Sequence, residues 1–180
     1  MRDFPSSFSP SLDIAMCCLN DIKVSVTTLV RTTLYCCVVP TFKKFKLLVN
    51  ELLEQGVVRP SKSQYANPDI LFQKCETDVR IIVEYRKVNA KILFDSYPML
   101  SIYQAFDQFS GAVIFSVFDI NSADFQISLT PRSRRVTAFC IPFGLFEFNL
   151  LPMGIIVGSQ GVTRVVDELF AYMKGRYVFN

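Results

Sequence analysis

The first strong periodicity in the chain runs from Thr41 to about Gln55, where Phe42, Phe45, Val49, Leu52 and Leu53 recur at three- and four-residue steps. That spacing lays them along one stripe of a helix, with Lys43, Lys44, Lys46, Asn50, Glu51 and Glu54 mostly opposite. Gly56 offers a left-handed stop and Pro60 forbids continuation soon after. Two extended runs follow, Asp69 to Lys74 and Val79 to Tyr85, joined by the polar Cys75-Glu76-Thr77-Asp78. This pattern predicts a β-hairpin. After Pro98 comes a second helix: Ser101 and Gln104 form a capping box, Ile102, Phe106 and Phe109 the apolar stripe, and Gly111 the end. Ala112 to Phe118 is almost continuously apolar, which predicts a strand buried on both faces and ending at Asp119. Val136 to Ile141 and Leu145 to Asn149 read as paired strands around Pro142-Phe143-Gly144. A third helix has its stripe at Val162, Val165, Val166, Leu169 and Met173, with Lys174 at its negative end and Gly175 beyond. Arg176 to Asn180 looks like the beginning of a strand. Residues 1 to 40 carry Pro5, Ser6, Ser7, Ser9, Pro10 and Ser11, the marks of a loose leader, with one extended strand predicted over Lys23 to Val30. The order αββαβββα(β) predicts an α+β fold.

Composition narrows this picture. The 180 residues suit one domain, or one and a fraction, and 51% hydrophobic against 19% charged is globular. A net charge of +3 permits nucleic-acid binding without announcing it. Histidine is absent, which excludes Ser-His-Asp triads and every His-containing zinc site. The six cysteines (Cys17, Cys18, Cys36, Cys37, Cys75 and Cys140) include no C-x-x-C pair, so reduced, mostly buried thiols of an intracellular protein are expected. The start, Met1-Arg2-Asp3-Phe4-Pro5, does not read as a signal peptide, and no apolar run approaches the length of a membrane span. An intracellular, non-secreted protein is expected, with cytoplasm and nucleus both open.

Three blocks in order carry a family resemblance. The first is Glu51-Leu-Leu-Glu-Gln-Gly-Val-Val-Arg-Pro-Ser-Lys-Ser-Gln-Tyr-Ala-Asn-Pro68, followed by Val79-Arg-Ile-Ile-Val-Glu-Tyr-Arg-Lys-Val-Asn89. The second is Phe115-Ser-Val-Phe-Asp-Ile-Asn-Ser-Ala-Asp-Phe-Gln-Ile127, and the third Thr137-Ala-Phe-Cys-Ile-Pro-Phe-Gly-Leu-Phe-Glu-Phe-Asn-Leu-Leu-Pro-Met-Gly154. Together they resemble the fingers, the first catalytic motif and the nucleotide-pocket loop of reverse transcriptases from gypsy-type long-terminal-repeat retrotransposons. The resemblance covers about residues 41 to 180. It implies a right-hand polymerase fingers/palm fragment, an incomplete palm sheet with packed helices, preceded by a poorly defined leader over 1 to 40.

The resemblance also implies chemistry: RNA-directed DNA polymerisation on a template-primer with deoxynucleoside triphosphates, by two Mg²⁺ ions held on carboxylates. Asp119 is then the first metal-binding aspartate, with the backbone carbonyl of Ile120 beside it; the plain alternative is a strand-ending aspartate that turns the chain. Arg80 matches the fingers arginine that grips the triphosphate, a task suited to a guanidinium fork. Lys74 matches less well, because the hairpin tip here is short of a lysine and a glycine. Met153 and Gly154 align with the nucleotide-pocket loop, where glycine allows close approach to a base. Lys43, Lys44 and Lys46 are within reach of a template in this reading, although a solvated helix face is the plainer one.

Two departures stand against the pattern. The Y-x-D-D pair of aspartates should begin directly after Asn180, where the sequence ends, and Asp124 stands where the family has an aromatic residue that closes the pocket against the sugar 2′-OH. Thumb, connection and ribonuclease H regions are likewise not included. The expectation is therefore a polymerase fragment inactive by itself, with two rivals: a non-enzymatic remnant that binds nucleic acid, and a decayed copy without function.

Overall fold

The computed structural model describes residues 19–24, 39–73, 79–175 and 178. The described chain opens on a two-residue strand, β1 (Leu19–Asn20), and resumes with helix α1 (Val39–Glu54). The helix starts two residues earlier than its apolar stripe suggests, with Pro40 in the first turn, where a missing N–H is no loss. Phe45 and Val49 are fully buried, Leu52 and Leu53 partly so, while Lys43 and Lys46 face solvent. The stop is a paired cap: the Gly56 N–H donates to Leu53 O at 3.1 Å and the Val57 N–H to Leu52 O at 2.9 Å. Such a cap needs a left-handed residue, and Gly56 has φ +70°.

Strands β2 (Val58–Pro60), β3 (Asn67–Gln73) and β4 (Val79–Val83) follow. β3 and β4 form the expected antiparallel hairpin, Asp69 opposite Val83 and Gln73 opposite Val79; its tip, 74–78, lies outside the described residues. A single turn, α2 (Arg86–Asn89), leads on to α3 (Ile102–Gln108). The capping box of α3 is formed, the Gln104 N–H donating to Ser101 Oγ at 3.3 Å and the Ser101 N–H to Gln104 Oε1 at 3.0 Å. Its stripe is not fully buried, however: Phe106 is exposed and packs edge-on against Phe109.

The run Ala112 to Phe118 departs most from expectation. It is not a strand, and Val113, Ile114, Val117 and Phe118 are each about nine-tenths exposed (91%, 89%, 93% and 89%). A doubly buried strand needs a neighbour on each side, and no described strand lies beside this run. Apolar sequence alone cannot supply the ladder.

Beyond a one-turn 3-10 segment (Ala123–Gln126) come β5 (Ser128–Leu129), α4 (Pro131–Val136), β6 (Phe139–Ile141), β7 (Gly144–Phe148) and α5 (Gly158–Leu169). Helix α4 takes the first residue of the strand expected over Val136 to Ile141. Its signal was present: Thr130 accepts from the Ser133 N–H at 3.3 Å and Pro131 opens the helix. Helix α5 stops at Leu169, which is exposed, so Lys174 lies past its end and pairs instead with Asp167. Of the strand expected over 176–180, all but Val178 lies outside the described residues.

The main sheet has the order β2-β7-β6-β3-β4, parallel only between β3 and β6. β2 is an edge strand, which tolerates Pro60. Within the expected leader, β1 pairs in parallel with β5, Ile22 is buried in the core, and Val24 bridges Ile92; the rest of the Lys23–Val30 strand lies outside the described residues. One core joins Phe45 and Val49 to Tyr85, Leu129, Phe139, Phe148 and Leu151. Phe139 is fully buried, with its ring 5.1 Å from Phe148 and 6.2 Å from Phe146. Phe139→Ala should therefore cost about 3–5 kcal/mol of stability, measured as a lower urea midpoint with an unchanged slope.

Candidate functional site

Asp119 and Ile120 sit at the exposed end of the irregular run, not at the end of a buried strand. The chain then turns sharply through Asn121 and Ser122, the latter in the left-handed region at φ 48°. Gln126 Nε2 donates to Asn121 O at 2.8 Å and the Phe125 N–H to Ser122 O at 2.9 Å, so the turn is held from within. This turn carries Asp124 inward. Its Oδ1 lies 3.7 Å from where a Cβ on Gly158 would stand, against the first residue of α5. Burial pushes the Asp124 carboxyl above its ordinary range.

The loop after β7 is fixed by a residue that the sequence reading did not single out. Asn89 Nδ2 donates to Gly154 O at 2.8 Å, and Asn89 Oδ1 accepts from the Ile156 N–H at 3.0 Å. One side chain thus closes both ends of the 154–156 segment. Gly154 has φ +92°, and the Tyr85 ring lies 3.6 Å from where its Cβ would stand. Tyr85 itself is buried, and its hydroxyl donates to Thr137 O at 3.0 Å. Met153, next to this pinned glycine, stays more than half exposed. Asn89 ends the Tyr-Arg-Lys-Val-Asn run quoted above; an amide closing a one-turn helix beside a glycine loop was the only available signal.

The structure therefore gathers Asp124, Gly154 and Gly158 around the loop into α5, and leaves Asp119 and Ile120 on the surface turn before them. Arg80 lies in β4 opposite Phe72, and Lys74 is outside the described residues. Among the described residues, no three acid or cysteine side chains gather closely enough to hold a metal ion. Asp119 brings one carboxylate, so these residues do not by themselves make up the donor set of a two-ion centre.

No protein-family model matches the chain. Its fold is that of a reverse transcriptase. It superposes on the foamy viral protease-reverse transcriptase in complex with an RNA/DNA hybrid with a TM-score of 0.72 and 19% identity, over 93% of this chain and 23% of that one. A double-stranded DNA complex of the same viral enzyme gives 0.68 over 89% of this chain and 28% of that one, also at 19% identity. In sequence the chain is a relative of gypsy-type Pol polyproteins. It is 31% identical over 171 residues to the retrovirus-related Pol polyprotein from transposon gypsy of Drosophila melanogaster, covering 87% of this chain and 16% of the polyprotein. The enzymatic polyprotein of Cauliflower mosaic virus (strain CM-1841) is 32% identical over 136 residues, 73% of this chain and 20% of that protein. The chain thus spans a fifth or less of the length of these two relatives. No described helix is long and apolar enough to cross a membrane.

Two tests follow from the geometry. Asn89→Ala should release the 154–156 loop, costing about 1–2 kcal/mol for two hydrogen bonds. Faster amide exchange at Ile156, with core amides less affected, is the expected reading. For Asp124, folding favours the protonated form, so its contribution to stability is full below the ordinary aspartate range and is lost as pH rises through the folded value. Asp124→Asn should gain on the parent protein as pH is raised from about 3 to about 7, followed by thermal melting across that range.

Proposed function

We propose that this chain forms the fingers and the first part of the palm of a retroelement RNA-directed DNA polymerase. The observation that carries the proposal is the match to the gypsy Pol polyprotein across 87% of the chain. The reverse transcriptase fold agrees with it. In this reading the surface turn at Asp119 supplies one metal-binding carboxylate, with the Ile120 carbonyl beside it. Arg80 receives the triphosphate from the hairpin. Met153 and Gly154 flank the new base pair, in a loop whose shape Asn89 and Tyr85 dictate. Asp124 narrows this chain's fitness for the task, because a carboxylate beside an incoming triphosphate adds like-charge repulsion. Template-primer and deoxynucleoside triphosphates are the proposed partners, and Mg²⁺ the proposed ion.

The 180 residues contain no Y-x-D-D. Alone they should extend no primer, with either Mg²⁺ or Mn²⁺. Joined to the Y-x-D-D-bearing segment of the gypsy polyprotein, they should gain template-directed extension, and Asp119→Asn should lower it by at least about tenfold, roughly 1.4 kcal/mol. Extension by the 180 residues alone, or extension by the joined protein that ignores Asp119→Asn, overturns the proposal.

A further inference from the structure

Between the 61–65 loop and the end of α4, away from the turn at Asp119, a groove of about 640 Å³ opens, lined by Arg59, Lys62, Ser63, Tyr65, Arg135 and Glu147. Its walls are fixed by a ladder of hydroxyls. The Ser61 N–H donates to Leu145 O at 2.9 Å, and Ser61 Oγ donates to Glu147 Oε2 at 2.5 Å while accepting from the Ser63 N–H at 3.0 Å. Ser63 Oγ in turn accepts from the Tyr65 N–H at 3.1 Å and donates to Arg135 O at 2.7 Å. The loop is thereby stitched to β7 on one side and to α4 on the other.

Charge in the groove is unevenly spent. Glu147 is its one carboxylate; it is buried, and both oxygens are taken, by Ser61 and by Arg59 at 2.6–2.8 Å. Lys62 and Arg135 are exposed and make no ion pair among the described residues. The neighbouring Arg134 is already committed, its Nε donating to Leu129 O at 2.9 Å. Two cations without an ion pair among the described residues therefore line a concavity with a half-buried tyrosine on its wall. The volume lies in the range of small-ligand sites.

We propose that this groove holds single-stranded nucleic acid, with Lys62 and Arg135 on backbone phosphates and Tyr65 as a surface for a base. Cations that follow a phosphate backbone beside an aromatic platform are how proteins hold single strands without reading sequence. The proposal rests on the nucleic-acid reading above but concerns a surface separate from the Asp119 turn and the Gly154 loop. An acidic peptide would satisfy the two cations and leave the tyrosine unused.

The test is equilibrium binding of a fluorescent oligothymidylate to the full 180-residue chain across a salt series, for the parent, Lys62→Ala/Arg135→Ala and Lys62→Arg/Arg135→Lys. Both cations are solvent-exposed, so the variants should keep the parent's circular dichroism. The alanine pair should lose at least about tenfold in affinity and flatten the log–log salt slope by about 1.4, at roughly 0.7 per phosphate for a single strand. The charge-preserving pair should bind within about twofold of the parent. Unchanged affinity and slope in the alanine pair overturn the groove alone, leaving the polymerase reading to the extension assay. Equal competition by a polyglutamate peptide overturns it in favour of a protein ligand, and a parent that binds no oligonucleotide overturns both the groove and the chain's own nucleic-acid binding.

Discussion

The last carbonyls of α4 end inside the protein, and much of the fold is arranged to satisfy them. A helix leaves its final C=O groups without partners, and a buried orphan costs about 1–3 kcal/mol. Here the carbonyls at the end of α4 and just beyond it are answered by Thr137 locally and by Asn67 and Tyr85 from elsewhere in the chain. Thr137 Oγ1 donates to Arg134 O at 2.7 Å, Asn67 Nδ2 donates to Val136 O at 3.1 Å and Ala138 O at 2.8 Å, and the Tyr85 hydroxyl donates to Thr137 O. Thr137 Oγ1 also accepts from the Phe148 N–H at 3.1 Å, so β7 joins the same knot. The Asn67 orientation is fixed by this chemistry: two carbonyls can be met only by its NH₂ group, although its Oδ1 then has no partner among the described residues.

The knot explains how a hairpin distant in sequence controls the candidate site. Asn67 begins β3 and Tyr85 follows β4, so both ends of the hairpin are tied to the α4–β6 junction. Burial pushes the Tyr85 hydroxyl well above its ordinary pKa, keeping it a neutral donor. The opposite side of its ring packs toward Gly154, and four residues later Asn89 grips that loop. Hairpin, knot and loop are therefore joined by one continuous set of contacts.

Much of this was legible in the sequence wherever a local signal and a tertiary partner agreed. The stripe of α1, the Gly56 stop and the Ser101–Gln104 box are short-range devices, and each formed as read. Helix α4 was not among the expected elements: it is only six mostly polar residues long, too short to show an apolar stripe. The segment 112–118 failed for the reverse reason: its composition is that of a buried strand, but a strand needs partners to pair with, and the described residues supply no strand beside it. Asn89 carried only a faint signal, because an amide bridging two backbone groups has no spacing rule.

Charge shows most plainly how little a total says about a surface. A balance of 19 basic against 16 acidic residues looks indifferent. In the folded chain, however, several carboxylates are consumed locally. Glu84 binds Arg86, whose hydrogen bonds hold its carboxyl below the usual range, and Asp95 takes Arg164 in a two-oxygen clasp at 2.8 and 3.0 Å. Asp167 accepts from the Tyr97 hydroxyl at 2.6 Å and pairs with Lys174, and Glu147 is buried under Arg59. The geometry of these pairs matters beyond their small surface energies, because each removes a negative potential from the neighbourhood of cations elsewhere. Lys62 and Arg135 are in none of these pairs, and a nearly neutral chain presents a cationic groove.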